Sequence, residues 1–132
     1  MTVRIGITGA AGRMGRMLAE AISGSGTNCS LTVAIERSGS SLLGADMGEL
    51  LGGDASGVTL TSDLAAVADQ LDVLIDFTVP EATLAQAAVC ASHGLPMVTG
   101  TTGFTDEQAE KLIAATDSIP FASPLILRRA SI

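Results

Sequence analysis

The stretch VRIGITGAAGRMG, residues 3–15, sets a short apolar run directly before a glycine-rich turn. Val3 to Thr8 reads as a buried strand. Met14, Met17, Leu18, Ala21 and Ile22 then recur at the spacing of one helix face, and Gly24 and Gly26 end that helix. The glycines follow a Gly-x-x-Gly-x-x-Gly pattern, which departs from the Gly-x-Gly-x-x-Gly spacing of the dinucleotide fingerprint. The physics is the same. Gly9 permits the tight turn, Gly12 lets a pyrophosphate approach the backbone, and Gly15 lets the helix lie close to the sheet. The helix N-terminus offers unpaired N–H groups and a positive dipole end to an anion, and Arg13 adds charge nearby. No Lys-Ser/Thr pair follows, which argues against a phosphate-loop NTPase. The competing reading is a tight strand–helix turn that holds nothing.

The rest of the chain repeats the pattern. Leu31 to Ile35 is a second strand, ending at Glu36-Arg37. Ser38 to Gly57 is rich in Gly and Ser and reads as a long surface segment with a helical hint near Leu50. Val58 to Thr61 is a brief strand, and Asp63 caps a short helix through Ala68. Asp72 to Phe77 is a third strong strand. Pro80 opens a helix whose apolar face is Leu84, Ala87, Ala88 and Ala91, and Gly94 closes it. Pro96 to Thr99 is the next strand. Thr105 with Gln108 forms a capping box for a helix with Ala109, Leu112 and Ile113 facing inward. Ile119 to Ala122 is a last strand. Strands alternating with helices imply an α/β domain: a Rossmann-like, doubly wound, mostly parallel sheet covered on both faces.

Composition agrees with one domain. The chain has 132 residues, 47% hydrophobic and 16% charged, with three Phe and no Trp or Tyr. The net charge is −7, and between Asp46 and Asp117 there is a single base, Lys111. A phosphate-backbone binder needs a basic face, so nucleic acid and anionic membranes are poor partners. Cys29 and Cys90 lie far apart, and one His cannot complete a zinc site, so no metal is expected. No signal peptide and no membrane-length apolar run are visible, so a soluble, cytoplasmic protein with reduced thiols is expected.

Glu36 stands where a carboxylate accepts hydrogen bonds from ribose hydroxyls, and Arg37 beside it can pair with a 2′-phosphate. Together they suit either NADH or NADPH. Phe77-Thr78 and Gly100-Thr101-Thr102-Gly103 end two strands and should face the crevice of the glycine loop, since ligands bind beyond strand carboxyl ends. Turn chemistry alone explains either loop equally well. His93 suits a helix C-terminus. Asp76, inside an apolar strand, reads as a hydrogen-bonded structural carboxylate, and Cys90 as core.

Four motifs in order resemble the dihydrodipicolinate reductase family of the lysine and diaminopimelate pathway: GAAGRMG after VRIGIT, Glu36-Arg37-x-Gly-Ser-Ser-Leu-Leu-Gly, DVLIDFT, and VTGTTGF at residues 98–104. The resemblance implies that Gly9, Ala10, Ala11, Gly12, Arg13 and Met14 cradle the pyrophosphate. Glu36 would bind the adenosine ribose and Arg37 the 2′-phosphate, while Phe77 and Thr78 border the cofactor. Gly100, Thr101 and Thr102 would sit by the nicotinamide. In the family, hydride passes to a cyclic imine-type dicarboxylate with loss of water.

The likeness covers Met1 to about Ala122. Beyond it the family continues with an Asn-Phe-Ser type loop, whereas this sequence reads Ser123-Pro124-Leu125-Ile126-Leu127-Arg128-Arg129-Ala130-Ser131-Ile132. The expectation is a dinucleotide-binding domain at 1–122, a divergent tail at 123–132, and no substrate domain. The family's His-His pair, catalytic lysine and Ser-Gly-Thr loop are then missing, and no catalytic residue is assigned. Without a substrate cradle there is no orientation term, which supplies much of an enzyme's acceleration. Cofactor binding without useful turnover follows. A monomer or weak self-association through a sheet edge is expected, against a tetramer for the intact family. The alternatives are a non-catalytic dinucleotide-binding module and a nicotinamide enzyme of homoserine dehydrogenase type.

Overall fold

A computed structural model describes residues 2–24, 28–125 and 127–128. In chain order its elements are β1 (Val3–Thr8), α1 (Arg13–Ser23), β2 (Cys29–Ile35), α2 (Met47–Leu50), β3 (Leu60–Thr61), α3 (Leu64–Val67) with a 3₁₀ turn (Ala68–Gln70), β4 (Val73–Asp76), α4 (Pro80–Ser92), β5 (Met97–Thr99), α5 (Asp106–Ala115), β6 (Phe121–Ala122) and β7 (Leu127–Arg128). The strands form one sheet in the order β3-β2-β1-β4-β5-β6-β7. Every pairing is parallel except the last, where β7 runs antiparallel to β6. Residues 127 and 128 thus extend the sheet, while residues 129–132 of the expected tail lie outside the described residues.

The chain winds outward from β1 to β3, returns to place β4 beside β1, and winds outward again. That reversal makes the β1/β4 boundary the topological switch point, where a crevice opens at the carboxyl ends of the strands. The register sets Thr8 opposite Asp76, and Asp76 opposite Thr99. Alternating side chains feed two cores. Ile5, Ile7 and Ala34 pack with Ala19, Ile22 and Met47 on one face. Val33, Ile35 and Leu74 pack with Ala87, Cys90, Leu112 and Phe121 on the other.

Two helices sit differently from the apolar stripes expected of them. α1 buries Gly15, Ala19 and Ile22, and leaves Met14 49% and Met17 58% exposed. Its small face must turn inward because Gly15 rests on the glycine turn, and this swings the methionines outward. α4 buries Thr83, Ala87 and Cys90 while Ala88 is exposed, because the Thr83 hydroxyl reaches Asp76 at 2.6 Å. Gly24 ends α1 as expected, and Gly26 lies outside the described residues. The capping box at Thr105 and the cap at Asp63 form as read.

The Ser38–Gly57 segment is surface chain that runs back along β3, with the Gly44 N–H on Leu60 O and the Leu60 N–H on Ala45 O. Met47 is fully buried, and the neighbouring Asp46 carboxylate accepts N–H groups from Glu49, Ser56 and Gly57 at 3.1, 2.9 and 2.8 Å. The Ser56 amide leads these in holding the Asp46 carboxyl down at about 2. A depressed carboxyl stabilises the folded form above its unfolded value of 3.8 and loses that contribution as pH falls through about 2. In an NMR titration the Ser56 and Gly57 amide shifts are therefore expected to move together with a midpoint near pH 2, and Asp46→Asn should abolish the transition. Amides that titrate near the ordinary aspartate value contradict the clamp.

Candidate functional site

The glycine turn is set by close approaches. Gly9 has φ +73°, and a Cβ on it would overlap the Phe77 carbonyl oxygen. A Cβ on Gly15 would overlap the Gly9 carbonyl oxygen and crowd Ala10. Gly15 therefore seats the helix on its own turn rather than on the sheet. A Cβ on Gly100 would enter the Phe77 ring. Gly12 differs, since its Cβ would meet only Gly9 O at 3.2 Å, and the residue is exposed. The open side of Gly12 is the side a ligand would use.

The amides of this turn divide into committed and free groups. Gly9 and Ala10 both donate to Ile35 O, at 3.0 and 3.2 Å. Gly12 donates to Gly9 O at 3.0 Å. Ala11 donates to Glu36 Oε2 at 2.9 Å, so one carboxylate oxygen of Glu36 already braces the loop. Among the described residues no hydrogen bond takes the N–H of Arg13, Met14 or Gly15, and no side chain caps α1. Three amides at the positive end of a helix dipole are thus left for an anion. Ala10 is fully buried, so its side chain belongs to the core.

Two adjoining cavities run from this turn. One, about 310 Å³, is lined by Thr8, Gly9, Gly12, Ile35, Glu36, Arg37, Phe77, Thr78, Val79, Ala82 and Gln86. The other, about 360 Å³, is lined by Gly9, Gly12, Arg13, Met14, Gly15, Phe77, Thr78, Gly100, Thr101 and Thr102. They share Gly9, Gly12, Phe77 and Thr78 and so form one groove. Of the residues singled out in the sequence, all but Ala10 and Ala11 line it. Val79, Ala82 and Gln86 were missed, because only the packing of α4 brings its first turns over Glu36 and Arg37. A cavity of about 770 Å³ lies at the opposite end of β2, between α1 and the 47–58 segment, and contains none of these groups.

Charge is distributed to match. Among the described residues no hydrogen bond or ion pair engages the guanidinium of Arg13 or Arg37. Arg16 is committed, donating from Nε to Ala11 O at 2.7 Å. His93 caps α4, with Nδ1 3.0 Å from Val89 O, and faces solvent. Burial first, then the Asp76 charge, pushes the Cys90 thiol up to about 12, so it is an inert core group. No cluster of three or more potential metal ligands and no membrane-length apolar helix occurs among the described residues.

A doubly wound sheet whose switch-point crevice combines a free helix N-terminus with a carboxylate at the end of its second strand is the arrangement of a Rossmann-type dinucleotide-binding domain. A family model described as "Dihydrodipicolinate reductase, N-terminus" matches residues 3–123, and the chain belongs to that family. It is 49% identical over 120 residues to the 4-hydroxy-tetrahydrodipicolinate reductase of Saccharophagus degradans, across 91% of this chain and 44% of the relative. The dipicolinate-bound dihydrodipicolinate reductase of Paenisporosarcina sp. TG-14 superposes with TM-score 0.70 at 25% identity, over 94% of this chain and 48% of that one. The amine dehydrogenase of Mycobacterium smegmatis gives TM-score 0.72 at 24% identity over 93% and 38%; that likeness shows the fold. The chain spans less than half the length of the curated relative it matches.

The steric difference between two glycines gives a direct test. Gly15→Ala should cost about 1–3 kcal/mol, the usual penalty for overpacking a site that cannot move. Gly12→Ala should cost less, since its methyl points into the groove. Urea denaturation followed by circular dichroism measures both, and equal losses contradict the assignment.

Proposed function

We propose that these residues form the cofactor-binding part of a 4-hydroxy-tetrahydrodipicolinate reductase and hold NADH or NADPH in the groove. The observation that carries this is the set of unpartnered N–H groups at Arg13, Met14 and Gly15, in a chain whose family is known from the match. The residues fit the cofactor. The free amides and the Arg13 guanidinium take the pyrophosphate, and the bare face of Gly12 admits it. Glu36 keeps one oxygen on Ala11 and turns the other to the ribose hydroxyls. Arg37 takes a 2′-phosphate where one is present. Val79, Ala82 and Gln86 wall the adenosine end, and Gly100, Thr101 and Thr102 wall the nicotinamide end.

When bound, the reduced nicotinamide supplies the hydride for a cyclic dicarboxylate substrate. The chain's own residues bind, orient and shield that donor. Orientation of the substrate supplies much of an enzyme's acceleration, and residues 1–132 by themselves are expected to bind cofactor without useful turnover. A non-catalytic dinucleotide-binding module would use the same groove, and turnover by the longer protein separates the two.

Calorimetric titration tests the assignment. Micromolar binding of NADPH and NADH is expected. Arg37→Ala should weaken NADPH roughly tenfold to a hundredfold, the worth of a hydrogen bond to a charged group, and leave NADH unchanged. A folded chain that binds neither overturns the reading. Measurable reduction of the substrate by these residues alone overturns the inactivity.

We expect these residues to be monomeric or to associate weakly, against a tetramer for the intact family. Light scattering that finds a compact, salt-insensitive tetramer contradicts this.

A further inference from the structure

We propose that Asp76 is a positioning residue of the groove: its buried carboxylate holds the loops after β4 and β5 that wall the nicotinamide end. The inference rests on the dinucleotide reading above.

Asp76 is the last residue of β4 and is 0% exposed. Five threonine hydroxyls donate to it. On Oδ1 these are Thr8, from the end of β1, and Thr78 at 2.8 Å. On Oδ2 they are Thr83 from α4 at 2.6 Å, Thr99 from β5 at 2.7 Å, and Thr101 at 3.0 Å. A carboxylate offers about four lone-pair sites, so this one is saturated. The hydroxyls then pass the order on to the backbone. Thr101 Oγ1 accepts the Thr78 N–H at 3.0 Å, and Thr99 Oγ1 accepts the Thr101 N–H at 3.1 Å. The Asp76 carbonyl accepts the Gly100 N–H at 2.8 Å.

Three of the five donors, Thr8, Thr78 and Thr101, line the groove. The other two, Thr83 and Thr99, are buried beneath it. One anion therefore ties the groove wall to the interior from β1, β4, β5 and α4 at once. An apolar residue at this strand position would avoid the desolvation cost of a buried charge but would take this acceptor from all five hydroxyls. What the carboxylate adds is a fixed arrangement of the two loops, held by hydrogen bonds that converge on its two oxygens.

Asp76→Asn keeps the volume but replaces one acceptor oxygen with a donor, so the hydroxyls on that oxygen lose their partner. Thr99→Val removes the hydroxyl that donates to Asp76 Oδ2 and accepts the Thr101 N–H, one of the links between Asp76 and the β5–α5 loop, at a residue that does not line the groove. Each variant and the wild-type chain are titrated with NADH and with ADP-ribose, which lacks the nicotinamide. Leu112→Ala, in the core away from the groove, is the control for general destabilisation. The sequence has no Trp or Tyr, so the emission of bound NADH reads the nicotinamide directly.

Wild type is expected to bind NADH more tightly than ADP-ribose. Both groove variants should lose about tenfold in NADH affinity and change by less than about twofold for ADP-ribose, as the loss of a charge-assisted bond on one side of the site requires. The emission of bound NADH should fall with it. Retention of the NADH advantage in both variants overturns the proposal. So does parallel weakening of both ligands, the pattern of a merely structural role, which Leu112→Ala is expected to show. If Asp76→Asn is unfolded by circular dichroism, Thr99→Val decides by the same criterion. A wild-type chain that binds neither ligand overturns the dinucleotide reading and this inference with it, whereas wild-type binding with an unmoved ratio overturns this inference alone.

Discussion

The structure turns on a carboxylate with no access to water. Asp76 ends the central strand β4, fully buried, and an uncompensated charge there would cost several kcal/mol even after relaxation. The fold meets that cost by converging threonines from β1, β5, α4 and the loops between them. Such a cluster tolerates little displacement, because each hydroxyl that moves away leaves both itself and the anion short of a partner. The carboxyl ends of the three central strands are therefore in register for an electrostatic reason as well as a backbone one. The crevice above them inherits that order.

A second constraint is steric and runs through the backbone. Gly15 sits on the Gly9 carbonyl, Gly9 on the Phe77 carbonyl, and Gly100 under the Phe77 ring. These contacts fasten the first turn of α1 to the β4–α4 loop backbone to backbone, and that loop to the β5–α5 loop through the Phe77 ring. The packing also decides which amides are consumed. Gly9 and Ala10 are taken by Ile35 O, and Ala11 by Glu36. The free N–H groups are displaced into the first turn of the helix, where the dipole is strongest.

The electrostatics follow the same division. The chain is acidic, at −7, so an anionic ligand is attracted locally rather than by the molecule as a whole. Among the described residues Arg13 and Arg37 are unpaired, each lining one of the two adjoining cavities, while Arg16, one turn along from Arg13, is spent on the loop backbone. The two cavities share Gly9, Gly12, Phe77 and Thr78 and so form one groove, in a chain that belongs to the dihydrodipicolinate reductase family.

The alternation of strands and helices, the glycine turn after β1, the acid at the end of β2 and the loops after β4 and β5 were all legible in the sequence. Each rests on local chemistry: apolar runs, glycine, proline and capping residues act within a few positions of themselves. The inward faces of α1 and α4 were not legible. Hydrophobicity pointed to Met14 and Met17, but the contact of Gly15 with its own turn turned them out, and Thr83 was drawn in by a partner seven positions away. Nor could the sequence show which amides of the turn are free, that Gly100 makes room for Phe77, or that α4 brings Val79, Ala82 and Gln86 to the groove. The sequence by itself determined the order of elements and the kind of ligand the first turn can hold. The tertiary structure alone decided which groups face that ligand, because burial, steric exclusion and hydrogen-bond saturation depend on residues that meet only after the sheet has closed.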